Sequence, residues 1–241
     1  MEIIRSRQNE IVKRLISLGS DAKTRQEAGE FLGAGTKLLG EALASGAEVV
    51  CTLAAEPIEA PGLRLVTPEL LKAVSPLQHS DGPVFSVKMR PLPPPEAVSR
   101  ALVLENVQDP GNVGTVLRTA DALGIDLVVL CGACADPYNP KTVRASMGAI
   151  FRQPVIRTDT AGLADALGGL PLYGAALTES ASDIRTLPRE HIAVAVGNEG
   201  RGLTPELLSL CAGTVIIPMR PQAESLNAGV AAAIVMWELT R

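Results

Sequence analysis

The rhythm of apolar and polar positions changes near residue 100. Upstream it is mixed: Asn9 to Leu18 and Gly35 to Leu43 carry apolar residues at the three-and-four spacing of an amphipathic helix. Glu48–Leu53, Leu63–Val66 and Val84–Lys88 read as short strands. Downstream the apolar runs become nearly continuous: ALVLE (101–105), IDLVVL (125–130), PVIR (154–157), PLYGAAL (171–177), IAVAVG (192–197) and TVIIP (214–218). A helical stretch from about Asn112 to Leu123 and further helical segments separate several of them. A strand apolar at every position has neither face in water, which suits a parallel sheet covered by helices on both sides. The pattern predicts an α/β chain, with a small α/β module followed by a larger parallel-sheet domain.

The boundary is marked by RPLPPPE, Arg90 to Glu96, where four prolines in seven residues stiffen the backbone into an extended linker. Domains are therefore expected at 1–92 and 97–241. The chain has 241 residues, enough for one large or two small domains. No uncharged apolar run reaches the roughly 20 residues of a membrane-spanning helix, and the polar start MEIIRSRQNE lacks the apolar core of a secretory signal. Four cysteines, at 51, 131, 134 and 211, fit a reducing cytoplasm better than a disulfide framework. Cys131 and Cys134 form a C-x-x-C with no second Cys/His pair at zinc-finger spacing, so neither a metal nor a redox role is expected.

A net charge of −4 argues against a generally basic surface, yet residues 1–25 hold Arg5, Arg7, Lys13, Arg14, Lys23 and Arg25 against Glu2, Glu10 and Asp21. This is either a local nucleic-acid patch or a solvated helix face. With three Phe, two Tyr and one Trp there are few platforms for stacking bases, so RNA contact would lean on phosphate and shape.

Three loops carry candidate chemistry. In NVQDPGNVGTVLRTADALG (106–124), Asp109 before Pro110 is a cap and first-turn signal, and Val113, Val116, Leu117 and Ala120 form the buried stripe. Arg118 falls off that stripe and is free to face a cleft. Gly111 and Gly114 lack the dinucleotide-fold spacing. VAVGNEGRGL (194–203) sets three glycines and Glu199 after an apolar strand, where backbone can approach a ligand closely. IIPMRPQAESLNAGVAAAIVMWE (216–238) is a strand, an irregular loop and a helix expected to start at Leu226 with Ser225 as its cap, packing through Val230, Ala233, Ile234 and Trp237. Each loop alone also reads as an ordinary turn, with Glu199 a surface charge and Asn227 bonded only to nearby backbone.

Taken together and in order, N-x-x-D-P-x-N-x-G-x-x-x-R-T-A, G-N-E-G-x-G, and I-P-M followed by S-L-N resemble the motifs of the SpoU/TrmH family of RNA ribose 2′-O-methyltransferases, part of the SPOUT superfamily. ADPYNPKTVRASMGAIFRQPV (135–155) looks like the stretch that family carries between its first two motifs, and SRQNEIVKRLISL resembles the start of its accessory substrate-binding domain. The resemblance implies a C-terminal domain tied in a deep trefoil knot, S-adenosylmethionine as methyl donor, and a homodimer. It implies cofactor contacts around Gly197, Ile217 and Leu226, with Asn198, Gly202 and Met219 beside them. Arg118, Asn112, Glu199, Ser225 and Asn227 are the expected catalytic set, and Arg5, Arg7, Lys13, Lys141, Arg144 and Arg152 the expected RNA contacts. Ribosomal RNA is the first-choice substrate and transfer RNA the second. The alternatives are a noncatalytic RNA-binding protein retaining the fold, and a nucleotide- or NAD-binding enzyme, for which a glycine fingerprint and an acidic ribose-binding residue are missing.

Overall fold

The computed structural model describes residues 3–76, 82–220 and 225–241, and the chain forms two compact units. One consists of Met1–Arg90 with Asp136–Phe151, the other of Pro91–Ala135 with Arg152–Arg241. The first unit runs β1 (Ile3–Ile4), α1 (Glu10–Ser20), α2 (Ala22–Ala28), β2 (Glu30–Ala34), α3 (Thr36–Ala44), β3 (Val49–Ala54), β4 (Leu63–Val66), α4 (Pro68–Val74) and β5 (Val84–Lys88). Its five strands lie in the order β1-β4-β3-β5-β2. The pairs β1–β4 and β4–β3 are parallel, β3–β5 and β5–β2 antiparallel.

Local chemistry explains the elements. Asn9 accepts the Ile11 N–H at 3.0 Å and starts α1, whose Val12, Leu15 and Leu18 are buried as their spacing predicts. Asp21 caps α2, which ends at Gly29 in the left-handed region, φ 60°. β2 is missed by the pattern because EFLGA offers no alternation: four of its five residues are buried, including Glu30. That carboxylate sits between Arg14 (2.5 Å) and Lys88 (2.9 Å), the partners a buried charge needs. Gly33 belongs there because a Cβ would stand 2.5 Å from the Phe85 ring.

The second unit contains β6 (Arg100–Glu105), α5 (Pro110–Leu123), β7 (Leu127–Cys131), then, after α6 (Pro140–Ser146) of the first unit, β8 (Val155–Thr158), α7 (Leu163–Leu167), β9 (Leu172–Ala175), β10 (Ser182–Asp183), β11 (Ile192–Val196), α8 (Pro205–Leu208), β12 (Gly213–Ile216) and α9 (Ala228–Thr240). The sheet order is β10-β12-β9-β11-β6-β7-β8 and every pair is parallel, as the unbroken apolar runs predict. β7 and β11 are buried at all positions. One sheet face, with Ala101, Val103, Leu127, Val129, Ala193 and Ala195, packs against Leu163 and Leu167 of α7 and Leu203 and Leu207. α5 packs on β7, and α9 on β6 and β11. In a parallel sheet all strand ends of one sense share an edge. Here the order reverses between β6 and β11, the kind of point where open α/β sheets bind ligands.

Two sequence expectations are corrected. α9 is capped by Asn227, whose side chain accepts the Val230 N–H at 3.2 Å, and not by Ser225; the helix starts at Ala228. Its buried residues are Ala228, Gly229, Ala232, Val235, Met236 and Leu239, while Val230 and Trp237 of the expected packing stripe are 49% and 57% exposed. A helix apolar on nearly every side gives periodicity nothing with which to choose its buried face.

The stretch between β7 and β8 belongs with the first unit. Arg25, read from sequence as part of the basic N-terminal surface, is buried: its guanidinium donates to the Asp136 carboxylate at 2.6 and 3.0 Å and to the Leu18 carbonyl at 2.9 Å. Phe31 stacks obliquely on Tyr138 and Phe151, at centroid distances of 4.9 and 6.0 Å.

Candidate functional site

The site lies at the carboxyl edge of the parallel sheet and is built from the loops after β6, β9, β11 and β12. The loop after β11 folds tightly on itself. Asn198 accepts the Gly202 N–H on its carbonyl (2.8 Å) and the Gly200 and Arg201 N–H groups on Oδ1 (2.9 and 3.2 Å). Its Nδ2 donates to the carbonyl of Asn106, after β6, at 3.2 Å. A side chain at Gly197 would meet the Gly202 backbone at 2.3 Å, so glycine there is what permits the closure.

The loop after β6 is set by Asp109 and Pro110. The Asp109 carboxylate accepts the Asn112 N–H at 3.0 Å and caps α5, with Pro110 in its first turn, as the sequence suggests. Asn112 is thereby turned towards the other loops. Its Nδ2 donates to Glu199 Oε1, and its Oδ1 accepts Asn227 Nδ2 at 3.1 Å. One relay, Glu199–Asn112–Asn227, joins the three motif loops. Both polar atoms of the Asn112 amide are engaged, which fixes its orientation, and each amide nitrogen keeps a second hydrogen for a ligand.

A cavity of about 440 Å³ opens beside this relay. Gly197, Asn198, Glu199, Gly202, Ile217, Met219, Ser225 and Leu226 all line it, with Ala175 to Thr178 from the loop after β9 and an apolar floor from Leu203, Leu208 and Val215. Its size falls within the roughly 300–1,000 Å³ of small-molecule sites, and an apolar lining with a few placed polar groups is their usual chemistry. That fits S-adenosylmethionine: glycines without side chains admit a ligand against backbone, and Leu203, Leu208 and Val215 offer a surface for its purine.

Other expected residues stand elsewhere. Asn112 and Asn227 line a neighbouring cavity of about 370 Å³ with Thr115, Gly229, Val230, Ala233, Ile234 and Trp237. Arg118 is exposed on α5, six residues beyond Asn112, and lines neither cavity; among the described residues it has no hydrogen-bond or ion-pair partner. Arg5, Arg7, Lys13, Lys141 and Arg144 are exposed in the first unit. Arg152 lies in the second, bonded to Asp121 at 2.9 Å. Arg201, at the cavity, escaped the sequence reading; its position inside G-N-E-G-R-G was the signal.

The thiols are not reactive features. Burial pushes Cys51, Cys131 and Cys134 up, and Cys211 up to about 11. Cys134 Sγ donates to the Leu104 carbonyl at 3.1 Å. Among the described residues no three or more Cys, His, Asp or Glu cluster as metal ligands would, and no helix is long and apolar enough to cross a membrane.

A parallel α/β domain whose looped carboxyl edge encloses a small-molecule cavity is the class that fold and site define. Comparison with known proteins narrows it. The profile of the SpoU rRNA Methylase family matches residues 99–237, and the chain belongs to that family. It is 43% identical over 142 residues to the 23S rRNA (guanosine(2553)-2′-O)-methyltransferase RlmP of Bacillus subtilis, an alignment covering 58% of this chain and 57% of that protein. An uncharacterized tRNA/rRNA methyltransferase of Synechocystis is 34% identical over 99% of this chain and 93% of its own length. The crystal structure of an AdoMet-bound rRNA methyltransferase from Sinorhizobium meliloti superposes with a TM-score of 0.87 at 27% identity, covering 99% of this chain and 97% of that one.

Proposed function

We propose that this protein is an S-adenosylmethionine-dependent RNA methyltransferase that methylates a ribose 2′-hydroxyl, in ribosomal RNA before transfer RNA. The observation carrying this reading is the Glu199–Asn112–Asn227 relay set against the glycine-lined cavity. Bound S-adenosylmethionine supplies an electrophilic methyl group. The protein's part is to align the ribose oxygen in line with that methyl and to exclude water. Gly197, Asn198, Gly202, Ile217, Met219 and Leu226 hold the donor. Glu199, Asn112 and Asn227 orient the reacting groups, and Ser225 closes the cavity beside them. Arg118, on the Asn112 helix, clamps the RNA phosphate and orients the hydroxyl; a guanidinium keeps its proton in proteins, so it positions rather than deprotonates, and the hydroxyl proton passes to the RNA phosphate as the methyl is transferred.

The units divide the work, the first, Met1–Arg90 with Asp136–Phe151, as substrate domain and the second as cofactor domain. Arg5, Arg7, Lys13, Lys141 and Arg144 contact RNA phosphates, with Arg152 contributing once released from Asp121. A second copy of the chain covers the apolar cavity at Val230 and Trp237, making a homodimer. The trefoil knot implied by the motifs belongs to the same proposal; the insertion of β12 between β9 and the earlier β10 supports it. The enzyme acts in the cytoplasm. The noncatalytic reading loses ground because the relay is intact.

The test is transfer of labelled methyl from S-adenosylmethionine to total RNA of a strain lacking the gene. Label recovered in an alkali-resistant 2′-O-methyl dinucleotide from one RNA species is the expected result. Cofactor binding without any labelled RNA would return the noncatalytic reading.

A further inference from the structure

The strand β6 ends in a buried acid that the proposed reaction does not use. Glu105 is 2% exposed. Its Oε2 accepts the Thr204 N–H at 2.8 Å and its Oε1 accepts the Thr204 hydroxyl at 2.5 Å, so one residue satisfies both carboxylate oxygens. Among the described residues no cation pairs with Glu105. Burying a carboxylate against neutral donors is costly, and a glutamine or an apolar residue would fill the same space more cheaply.

Its place in the sheet shows what the acid achieves. Leu104 pairs with Val196 in the β6–β11 register, so Glu105 lies next to Gly197, where the cofactor loop begins. Thr204 is where that loop ends: its hydroxyl also accepts the Leu207 N–H at 3.2 Å, capping α8. The backbone of β6 thus holds the start of the loop by register, and the Glu105 side chain holds its end. Between these points lie Gly197, Asn198, Glu199, Gly202 and Leu203, all lining the cavity, and the Glu199 carboxylate that receives Asn112. The internal bonds of Asn198 close the loop upon itself; at its exit Leu203 packs on the sheet, and among the described residues the Glu105–Thr204 pair supplies the side-chain hydrogen bonds that tie that exit to β6.

We propose that Glu105 is a positioning residue for the methyl donor: acting through Thr204, it clamps residues 197–204 in the shape that binds S-adenosylmethionine. The proposal rests on reading the cavity as the cofactor site. Glu105 touches neither cofactor nor RNA, so its loss is felt in cofactor affinity and not in RNA affinity. Glu105→Leu removes both acceptors that the Thr204 N–H and hydroxyl use. Thr204→Val removes the hydroxyl from the other side of the same bond, and Thr204→Ser restores it.

Calorimetric titration of S-adenosylmethionine into the full chain, with KM for RNA measured in parallel, tests this. Glu105→Leu and Thr204→Val each weaken cofactor binding about ten-fold, leave the RNA KM unchanged, and in combination weaken it little more than either alone; Thr204→Ser binds nearly as wild type. Should Glu105→Leu fail to fold, the Thr204→Val and Thr204→Ser pair reads the same bond. Wild-type affinity in Thr204→Val, equal losses in Thr204→Val and Thr204→Ser, additive losses in the double variant, or a matching rise in RNA KM would each overturn the clamp. Wild-type protein that binds no S-adenosylmethionine would overturn the cofactor reading and the clamp with it, whereas variants that bind like a cofactor-competent wild type overturn the clamp alone.

Discussion

The two sheets of this protein differ in what surrounds their strand ends. In the all-parallel sheet every strand delivers its carboxyl end to the same side, so loops far apart in sequence, after β6, β9, β11 and β12, converge on one cavity. In the mixed sheet β5 alone runs against its neighbours, β2 and β3, while the other four strands share one direction. What the first unit offers instead is exposed cation: Arg5, Arg7, Lys13, Lys141 and Arg144, and the half-exposed Arg14 and Lys88 gathered on buried Glu30. Topology concentrates precise hydrogen bonding in one unit and leaves the other a charged surface. A recognition task needing fixed geometry suits the former, and one needing only phosphate attraction suits the latter.

Substitutions on either side of this contrast should fail differently. The largest effect is expected from Gly197→Ala, because the added methyl meets backbone that cannot swing aside. Overpacking of this kind costs up to about 3 kcal/mol, so cofactor affinity measured by calorimetry should fall about 100-fold. Unchanged affinity would mean that the loop closure is irrelevant to the ligand. Next, Asn112→Ala leaves Glu199 and Asn227 without their shared partner. A hydrogen bond to a carboxylate contributes roughly 1.5–3 kcal/mol, which predicts a drop of about ten- to a hundred-fold in single-turnover methyl transfer.

On the exposed α9 face, Trp237→Glu should halve the mass found by light scattering; a wild-type monomer would remove the second copy from the account. In the charged unit, Lys141→Ala and Arg144→Ala should raise RNA KM several-fold and lower the log–log salt slope by about one each, with cofactor affinity untouched. The smallest effect belongs to Cys211. Burial raises its folded-state value to about 11, against roughly 8.5 in an unfolded chain. The native state therefore keeps a proton that the unfolded chain releases, and stability falls as pH climbs from roughly 8.5 towards 11. Cys211→Ser should flatten the fall of Tm across that range, and parallel curves would show that other groups govern it.

Six strands of the parallel sheet were legible because each announces itself by apolar continuity, whereas the polar edge strand β10, Ser182–Asp183, gives no such signal; the α5 stripe Val113, Val116, Leu117 and Ala120 is fully buried as its spacing requires. The loops could be read as glycine turns but not as a circuit: nothing local to Asn112 reveals that its amide lies between Glu199 and Asn227, residues 87 and 115 positions away. β2 was hidden by its glycine and buried glutamate, and the inward turn of Arg25 by dependence on Asp136, 111 residues on. Ser225 and Asn227 are equally good caps on paper; the second is the one used, and its Nδ2 also reaches Asn112 on α5, a contact no local pattern reveals.

The central claim is that donor binding and RNA alignment are separable, the first held in the convergent loops and the second on the exposed arginine of α5. Its most direct test is Arg118→Ala, measured for S-adenosylmethionine affinity by calorimetry and for methyl transfer to RNA in single turnover. Because Arg118 lies outside the cavity, affinity should match wild type while transfer falls about 100-fold or more. Transfer at the wild-type rate, or affinity lost in step with activity, would contradict the account.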